Sequence, residues 1–217
     1  MNESAKFPAW KRALDLALVA LALPFWLPLM ALIAVVVKIA SPGPVLFHQK
    51  RMGLKGRTFG CLKFRSMKVD AETRVHEDYL KKLIVTNCPM TKLDVEGDPR
   101  LIPLGRFFRA TGLDELPQIF NVIRGEMSLV GPRPCTPYEF EQYEGWHKER
   151  FRAVPGLTGL WQVSGKNKTT FNEMILLDIQ YAEHASAWMD IKIMLKTFPV
   201  LFSQIQESRT RNTGGKS

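Results

Sequence analysis

A long apolar segment near the N-terminus is the feature that most limits what this chain can fold into. Residues 16–37 include no charged side chain. A helix of about 22 residues can cross the roughly 30 Å hydrocarbon core of a bilayer. A cleaved signal peptide has a shorter apolar region, about 7–15 residues, followed by small residues at its cleavage site. The sequence therefore predicts a segment that enters the membrane.

Charge and proline placement bear on whether this segment spans the bilayer. Positive charge close to a membrane segment favours the cytoplasmic face, and here both flanks are basic. The flanking residues are Lys6, Lys11 and Arg12 before the segment, and Lys38, Lys50, Arg51, Lys55, Arg57, Lys63, Arg65 and Lys68 after it. Pro24 and Pro28 each remove a backbone donor and bend a helix. The favoured interpretation is a re-entrant hairpin bent at these prolines, and the alternative is a kinked spanning helix.

A second apolar pattern lies near the C-terminus. Its residues recur at helical spacing and comprise Ile191, Met194, Leu195, Phe198, Leu201, Phe202 and Ile205. A helix with this stripe could lie in the headgroup plane of a membrane or pack on the globular core, and the pattern leaves both open. Residues 206–217 are predicted to form a flexible tail.

The middle of the chain predicts an α+β fold that is mainly helical. Two short strands, in PVLFHQ and RTFGCLKF, are joined by a Gly-containing turn and predict a small β-hairpin. Residues 70–86 and 171–181 predict helices, and the segment LGRFFRATG predicts a short helix or a turn. Residues 87–103 and 154–170 predict loops. The three cysteines are widely spaced and the four histidines are scattered, so neither a disulfide framework nor a zinc site is favoured.

The charge of the chain points to an anionic partner. The formal net charge is +9 over 217 residues. Nucleic acid, phosphorylated metabolites and anionic lipid headgroups all qualify, and charge alone does not choose among them. With 46% hydrophobic residues, the composition is that of a folded domain with a real core.

Two adjacent carboxylates, Asp114 and Glu115, stand at the start of a predicted helix. The apolar stripe of that helix comprises Leu113, Leu116, Phe120 and Ile123. The pair could complement the helix dipole, hold a divalent cation, or supply a nucleophile that attacks phosphorus. Arginines surround it in the sequence, at Arg106, Arg109, Arg124 and Arg133. Because the guanidinium group matches phosphate oxygens, this setting favours phosphoryl transfer at a membrane surface.

Several ordered motifs make the chain resemble a known family. The motifs are KRALDL, SPGPVLFHQKRMG, FGCLKFRSM, DPRLIPLGRFFR, GLDELPQIFNVIRGEMSLVGPRP and RFRAVPGLTGLWQVSGK. Together they resemble the bacterial sugar transferases, which are monotopic polyprenyl-phosphate sugar-1-phosphate transferases (phosphoglycosyl transferases). The resemblance covers residues 11–201, and six motifs in one order are far more specific than any one alone.

The resemblance implies a two-step reaction with a covalent intermediate. A UDP-sugar gives its sugar-1-phosphate to an enzyme carboxylate and releases UMP, and the phosphosugar then passes to polyprenyl (undecaprenyl) phosphate. By this resemblance Asp114 is the nucleophile and Glu115 works with Mg²⁺, the two together forming the metal site. The implied phosphate-binding residues are Lys63, Arg65, Arg109 and Arg133. The implied nucleotide or sugar contacts are Gln162, Gly165 and Lys166.

The resemblance also implies a location and a set of partners. Residues 1–12 form a cytoplasmic flank, residues 13–40 the re-entrant membrane hairpin, and residues 41–205 a catalytic domain on the cytoplasmic face of the bacterial inner membrane. The expected partners are a UDP-sugar, polyprenyl phosphate and inner-membrane lipid, with no nucleic acid. The identity of the sugar, the glycan pathway and a homodimer stay open.

Two departures from the family pattern and two rival interpretations remain. The family hairpin often breaks at Ser-Pro, whereas this chain has Leu27 before Pro28 and an additional Pro24, which leaves the position of the bend open. Lys166 replaces an arginine that many relatives carry, and either cation can meet a phosphate.

The rivals are a non-catalytic, basic membrane-attached binding protein and a glycosyltransferase that releases UDP. The first gives no reason for adjacent carboxylates among arginines.

Overall fold

The structure is a computed structural model that describes residues 7–68, 83–84, 86–87, 100–165 and 169–214. Most of the predicted helix 70–86 and of the predicted loop 87–103 lies outside the described residues, as does Lys166. The α-helices are α1 Ala9–Leu21, α2 Leu23–Ala40, α3 Gly105–Thr111, α4 Gln118–Arg124, α5 Pro137–Glu141, α6 Leu160–Val163, α7 Phe171–His184 and α8 Ala187–Gly214. The strands are β1 Leu46–Met52, β2 Thr58–Phe64, β3 Ser128–Val130 and β4 Gly156–Thr158. Short 3-10 helices cover Leu54–Gly56, Leu113–Glu115 and Trp146–Arg152.

The apolar N-terminal segment forms two helices that meet at Ala22. Pro24 stands in the first turn of α2, where its missing N–H costs little, whereas Pro28 lies inside that helix. The indole N–H of Trp26 donates to the Val19 carbonyl at 2.9 Å and so links the two helices. By length and composition α2 could cross a membrane, and it is the single helix among the described residues of which this is true.

One face of α2 belongs to the protein core. Trp26, Met30, Ile33 and Val37, spaced four, three and four residues apart, are buried in a cluster that also takes in residues of β2, α3 and α4. The ring of Trp26 meets that of Phe120 edge to face, with centroids 6.0 Å apart. From the first to the last of these buried residues α2 packs on the globular body over about 16 Å.

The opposite face of α2 has no cover among the described residues. Its large apolar side chains are exposed, including Phe25 (78%), Leu32 (61%) and Ile39 (81%). A continuous apolar helix face of this kind marks a surface that meets lipid or another partner.

Polar side chains of α1 fasten that helix to the rest of the protein. Lys11 is 2% exposed, and its ammonium group donates to Asp190 Oδ2 at 2.5 Å and to the Tyr181 hydroxyl at 2.8 Å. The Arg12 guanidinium donates to two carbonyls at the end of α4, those of Val122 and Ile123. These two basic residues, which the charge pattern assigns to a cytoplasmic flank, therefore hold α1 on the globular body.

The predicted β-hairpin is confirmed. β1 and β2 are antiparallel, with Leu46 opposite Phe64 and Met52 opposite Thr58. The 3-10 helix Leu54–Gly56 closes the turn between them. Helices α3 and α7 also match the predicted helices, and Thr170 and Glu173 form a capping box at the start of α7.

A second strand pair is parallel, and the sequence patterns did not predict it. β3 pairs with β4, so the prediction of a loop over residues 154–170 is wrong for β4 and α6. The backbones approach so closely that a Cβ placed on Gly156 would lie 2.0 Å from the Gly131 nitrogen, and one on Gly159 would lie 2.2 Å from the Gly131 oxygen. Glycine is therefore required there for packing, and a glycine-rich strand of three residues lacks the alternating pattern used to recognise strands.

Helix α8 exposes most of the predicted C-terminal stripe. Leu195, Phe198 and Phe202 are 64%, 62% and 69% exposed, whereas Ile193, on another face, is buried. The alternative in which the whole stripe packs on the globular core is therefore wrong, because α8 faces the core with a different side. The backbone remains helical to Gly214, through most of the segment predicted as a tail, since no helix-breaking residue occurs after Pro199 until that glycine.

Candidate active site

The adjacent carboxylates lie between two helices and not in the first turn of one. Helix α3 ends at Gly112, whose φ of 72° reverses the chain, and the 3-10 helix Leu113–Glu115 follows. Pro117 is then the N-cap residue of α4. The prediction of one helix starting at the pair is corrected, because a left-handed glycine and a proline confine these residues to a separate tight turn.

Asp114 is buried, although an aspartate side chain is ordinarily ionised near neutral pH. It is 7% exposed. Burial raises the pKa of Asp114 to about 6, Glu115 adds to that rise, and the nearby charges of Lys63 and Arg109 oppose it. A carboxylate that has lost most of its water while keeping cations beside it is a stronger nucleophile than one in bulk solvent.

Glu115 faces solvent and pairs with a lysine from the hairpin. Its side chain is 46% exposed, and the Lys63 ammonium group lies 2.8 Å from Glu115 Oε1. Lys63 stands near the end of β2, which packs against the turn that carries the pair. The structure thus brings Lys63, predicted to bind phosphate, to both carboxylates.

Arg109 and Arg65, which are also predicted to bind phosphate, have different surroundings. Arg109, three residues before Gly112 on α3, acts on Asp114 through its charge. Arg65 is 4% exposed and donates to the carbonyls of Ser41 at 2.7 Å and Pro42 at 2.6 Å, directly after α2. Arg65 is thus occupied with the end of the apolar helix, where a cation also complements the helix dipole.

Arg133 lies close enough to the pair for charge coupling with Glu115. Its side chain is 28% exposed, with Nη1 3.4 Å from Oε1 of the buried Glu139. Burial alone raises the pKa of Glu139, but Arg133 and Arg51, helped by the Thr136 N–H, hold it below its ordinary value. Burial and the neighbouring Arg133 lower the pKa of Arg51, and Glu139 and Glu115 oppose that shift.

Arg51 and Glu139 are residues of this site that the sequence did not single out. In the sequence Arg51 is one of many basic residues that follow the membrane segment. A signal that could have found Arg51 is its place in the motif HQKRMG, on the strand that pairs with the one carrying Lys63.

Of the predicted nucleotide or sugar contacts, the structure describes Gln162 and Gly165. Gln162 has a buried Oε1 atom with no hydrogen-bond partner in the described part of the chain. That atom sits 2.7 Å from the position of a Cβ on Gly159, which itself contacts Gly131. Gly165 is exposed with a φ of 108°. The structure therefore places Gln162 against the loop that precedes Arg133 and places Gly165 in an outer turn.

The donor set fits a shared magnesium site better than a closed protein cage. The described residues contain no group of three or more His, Cys, Asp or Glu side chains arranged for a metal. Mg²⁺ is commonly held by one or two carboxylates together with substrate phosphates and water. Two adjacent carboxylates, one of them half exposed, fit that pattern.

Comparison with known proteins agrees with the motifs. Residues 6–204 match the family described as "Bacterial sugar transferase". The chain belongs to this family.

Several curated members of the family are similar over most of this chain. A protein named galactosyl transferase CpsE, from Streptococcus agalactiae, is 48% identical over 162 residues, covering 73% of this chain and 35% of its own length. The exopolysaccharide production protein ExoY of Sinorhizobium fredii is 37% identical over 191 residues, covering 88% of this chain and 84% of its own. A UDP-glucose:undecaprenyl-phosphate glucose-1-phosphate transferase of Caulobacter vibrioides is 40% identical over 201 residues, covering 89% and 70%. The chain spans only 35–41% of several of its bacterial sugar transferase relatives.

Proposed function

We propose that the chain transfers a sugar-1-phosphate from a UDP-sugar to undecaprenyl phosphate and releases UMP. The observation that carries this proposal is the buried Asp114 carboxylate, set beside Lys63 and Arg109 in a member of the bacterial sugar transferase family. The names of two relatives support it, since one is called an undecaprenyl-phosphate galactose phosphotransferase and another a UDP-glucose:undecaprenyl-phosphate glucose-1-phosphate transferase.

In the first step a carboxylate oxygen of Asp114 attacks the β-phosphorus of the UDP-sugar. A bond forms between that oxygen and phosphorus, and the bond from phosphorus to the bridging oxygen breaks. UMP leaves with the bridging oxygen and its electron pair, and the sugar phosphate stays on Asp114. Lys63 and Arg109 offset the repulsion between the carboxylate and the diphosphate, which is the main electrostatic barrier to this approach.

In the second step a phosphate oxygen of the polyprenyl phosphate attacks the phosphorus held on Asp114. The new phosphorus–oxygen bond gives the polyprenyl-diphosphate sugar, and the bond to the Asp114 oxygen breaks and restores the carboxylate. The phosphate of the lipid is already ionised at neutral pH, so the enzyme needs no separate base to activate this second nucleophile.

Magnesium is the proposed cofactor. Asp114 and Glu115 would hold it together with phosphate oxygens, and bound Mg²⁺ supplies charge neutralisation and orientation of the diphosphate. Lys63 keeps the Glu115 carboxylate turned toward the site.

The proposed placement is on the cytoplasmic face of the inner membrane, with residues 13–40 re-entrant. Two contacts support it. Lys11, just before the segment, bonds Asp190, and Arg65 of the globular body bonds the Pro42 carbonyl just after the segment, so both ends are held on the same body. A helix that spans the bilayer would have to pull its buried face, from Trp26 to Val37, away from that body. The exposed apolar faces of α2 and α8 are then the surfaces in contact with lipid.

Nucleotide release tests the proposed reaction. Purified protein in nanodiscs is incubated with Mg²⁺, polyprenyl phosphate and a panel of UDP-sugars, with UMP and UDP measured separately. We expect UMP from at least one donor, and loss of that activity in Asp114→Asn and after metal removal. Glu149→Gln, at an exposed carboxylate paired with Arg152, is the control variant and should keep its activity. UDP release would show a glycosyltransferase, and silence with folded protein across a full donor panel would favour a binding protein.

Cysteine labelling tests the proposed topology. Ala9→Cys and Pro44→Cys place exposed thiols on the two sides of the segment, while native Cys61 and Cys135 are buried. In inverted membrane vesicles an impermeant maleimide should label both new thiols, with the unmodified chain giving the background. Labelling at one position alone would show a spanning helix.

A further inference from the structure

The loop at residues 131–135, called here the Arg133 loop, is fixed along its whole backbone. Its carbonyls from Pro132 to Cys135 each accept a hydrogen bond from another segment. The donors are the Gly156 N–H to Pro132 at 3.0 Å, Arg150 Nη2 to Arg133 at 2.7 Å, Arg51 Nη1 to Pro134 at 3.1 Å, and the Met52 N–H to Cys135 at 2.8 Å. Two of the four donors are guanidinium groups, which make the stronger, charge-assisted hydrogen bonds.

Arg51 is enclosed and its donors are directed at the protein. It is 6% exposed, and its Nε and Nη2 atoms donate to Gln49 Oε1 at 3.2 and 2.7 Å. Its Nη1 atom, besides bonding Pro134, lies 4.0 Å from Glu139 Oε2. Arg51 thus lies behind the Arg133 loop, whereas the Arg133 side chain keeps an exposed part.

The charges around this loop do not balance within the described cluster. Arg150 is paired with Asp178, and Arg51 and Arg133 share the carboxylate of Glu139. Glu115 also acts on both arginines through its charge but is itself paired with Lys63, so three cations face two carboxylates. A buried cation is costly unless a counter-charge lies near it. The cluster therefore has a place for one more negative charge, and the exposed part of Arg133 is where an anion can reach it.

We propose that Arg51 is a positioning residue, which fixes the Arg133 loop from behind so that Arg133 meets a phosphate group of the nucleotide donor. This inference rests on the proposed function. Arg51 acts through Arg133 and touches no substrate, and the substrate phosphate supplies the charge that the cluster lacks. The Glu139 carboxylate has two functions in this arrangement. It accepts a hydrogen bond from the Thr136 N–H in the capping box of α5, and this contact holds it in place to orient Arg133.

A double-mutant cycle tests this proposal. The affinity for UDP is measured by calorimetry for the unmodified chain, Arg51→Met, Arg133→Gln and the double variant. Each single change should weaken UDP binding by about tenfold to a hundredfold, the range for a lost charge-assisted hydrogen bond. The double variant should be no weaker than Arg133→Gln, because Arg51 has no effect once Arg133 is absent. Unchanged UDP affinity in Arg51→Met, additive losses, or no UDP binding by the unmodified chain would each overturn the inference.

Two further variants separate this effect from general loss of structure. Arg152→Met removes an exposed guanidinium paired with Glu149 and should leave UDP affinity unchanged. Arg51→Lys keeps the buried charge but cannot bond both Gln49 and the Pro134 carbonyl as the guanidinium group does. It should weaken UDP binding by less than Arg51→Met. It should also raise the KM for the nucleotide donor and leave the KM for the lipid unchanged. If Arg51→Met does not fold, Arg51→Lys decides, with unchanged affinity counting against the proposal. UMP release by the unmodified chain separately decides the proposed function.

Discussion

Asp114 and Glu115 are neighbours of similar chemistry in very different surroundings. Asp114 is 7% exposed, whereas the Glu115 side chain is 46% exposed and bonded to Lys63. Burial favours the uncharged carboxyl group and cations oppose it, so Asp114 is held in a costly ionised state at neutral pH, as the proposed nucleophile would be. This difference in burial is consistent with the different roles proposed for the two residues.

Asp114→Asn should stabilise the protein while it removes activity. The folded-state pKa of about 6 lies above the ordinary value of 3.8, so the carboxyl group contributes its full stability below pH 3.8 and loses it as the pH rises through about 6. At about pH 7.5 the variant should gain about 1–3 kcal/mol. The gain should shrink at about pH 5, and thermal unfolding in detergent at the two pH values measures it.

The control for this prediction is Glu149→Gln, which removes an exposed carboxylate paired with Arg152. Its effect should be below about 1 kcal/mol at both pH values. A destabilised Asp114→Asn variant at neutral pH would show that the cations around Asp114 outweigh its burial.

Gly112 should be required for its backbone conformation and not for space. Its φ is 72°, and no described atom lies within 4 Å of a Cβ built there. Gly112→Ala should therefore cost about 1–2 kcal/mol and lower kcat, because the turn that follows carries both carboxylates. Gly145 has equally open surroundings but a φ of −54°, so Gly145→Ala should be neutral or slightly stabilising. Equal losses in the two variants, measured by thermal unfolding, would rule out this explanation.

At the level of elements, α1 depends on one buried ion pair. Lys11 and Asp190 are 3% and 1% exposed at their side chains, and Tyr181 donates to Asp190 at 2.6 Å. This network joins α1 to α7 and α8, which lie at the other end of the chain. The apolar N-terminal segment is therefore packed into the fold and is not a separable anchor.

Lys11→Met should loosen α1. It leaves the Asp190 carboxylate buried without its cation, which costs about 3–5 kcal/mol. Lys38→Met removes an exposed lysine at the other end of the segment and should change stability little. Adding Asp190→Leu to Lys11→Met should recover part of the loss, because no unpaired charge then remains. Thermal unfolding of the three variants measures this, and equal effects of Lys11→Met and Lys38→Met would contradict it.

At the level of the whole molecule, the exposed apolar faces and the positive charge both fit the proposed attachment to a membrane. Helices α2 and α8 both present large uncovered apolar side chains, and the chain carries a net charge of +9. Apolar surface and attraction to anionic headgroups both increase binding to a membrane surface. A reaction between a soluble nucleotide sugar and a lipid phosphate needs its site at that boundary.

The double change Phe198→Ser and Phe202→Ser should weaken attachment to the membrane. Burial of one large apolar side chain is worth about 1.5–3 kcal/mol, so a larger share of the variant should be released by alkaline carbonate. Leu176→Ser, at a 56% exposed position on α7, is the matched control and should be released like the unmodified chain. Equal release of both variants would show that the face of α8 meets something other than lipid.

Local patterns in the sequence determined much of this protein. The uncharged run over residues 16–37 predicts an apolar helix, and two short strands joined by a glycine-containing turn predict the hairpin. The ordered motifs were sufficient to recognise the family and to bring Asp114 and Glu115 forward. These signals can be read from sequence because the interacting residues lie within a few positions of one another.

Only the tertiary structure decided which distant residues meet. β3 and β4 pair across a long connection, and Lys11 and Asp190 are 179 residues apart. The same applies to Arg65, whose guanidinium group bonds the carbonyls at the end of α2, and to Arg51, which in the sequence is one flanking charge among many. A charged side chain has the same letter in the sequence whether water or protein surrounds it. Its partners and its burial, and hence its role, are set by the packing of the whole chain.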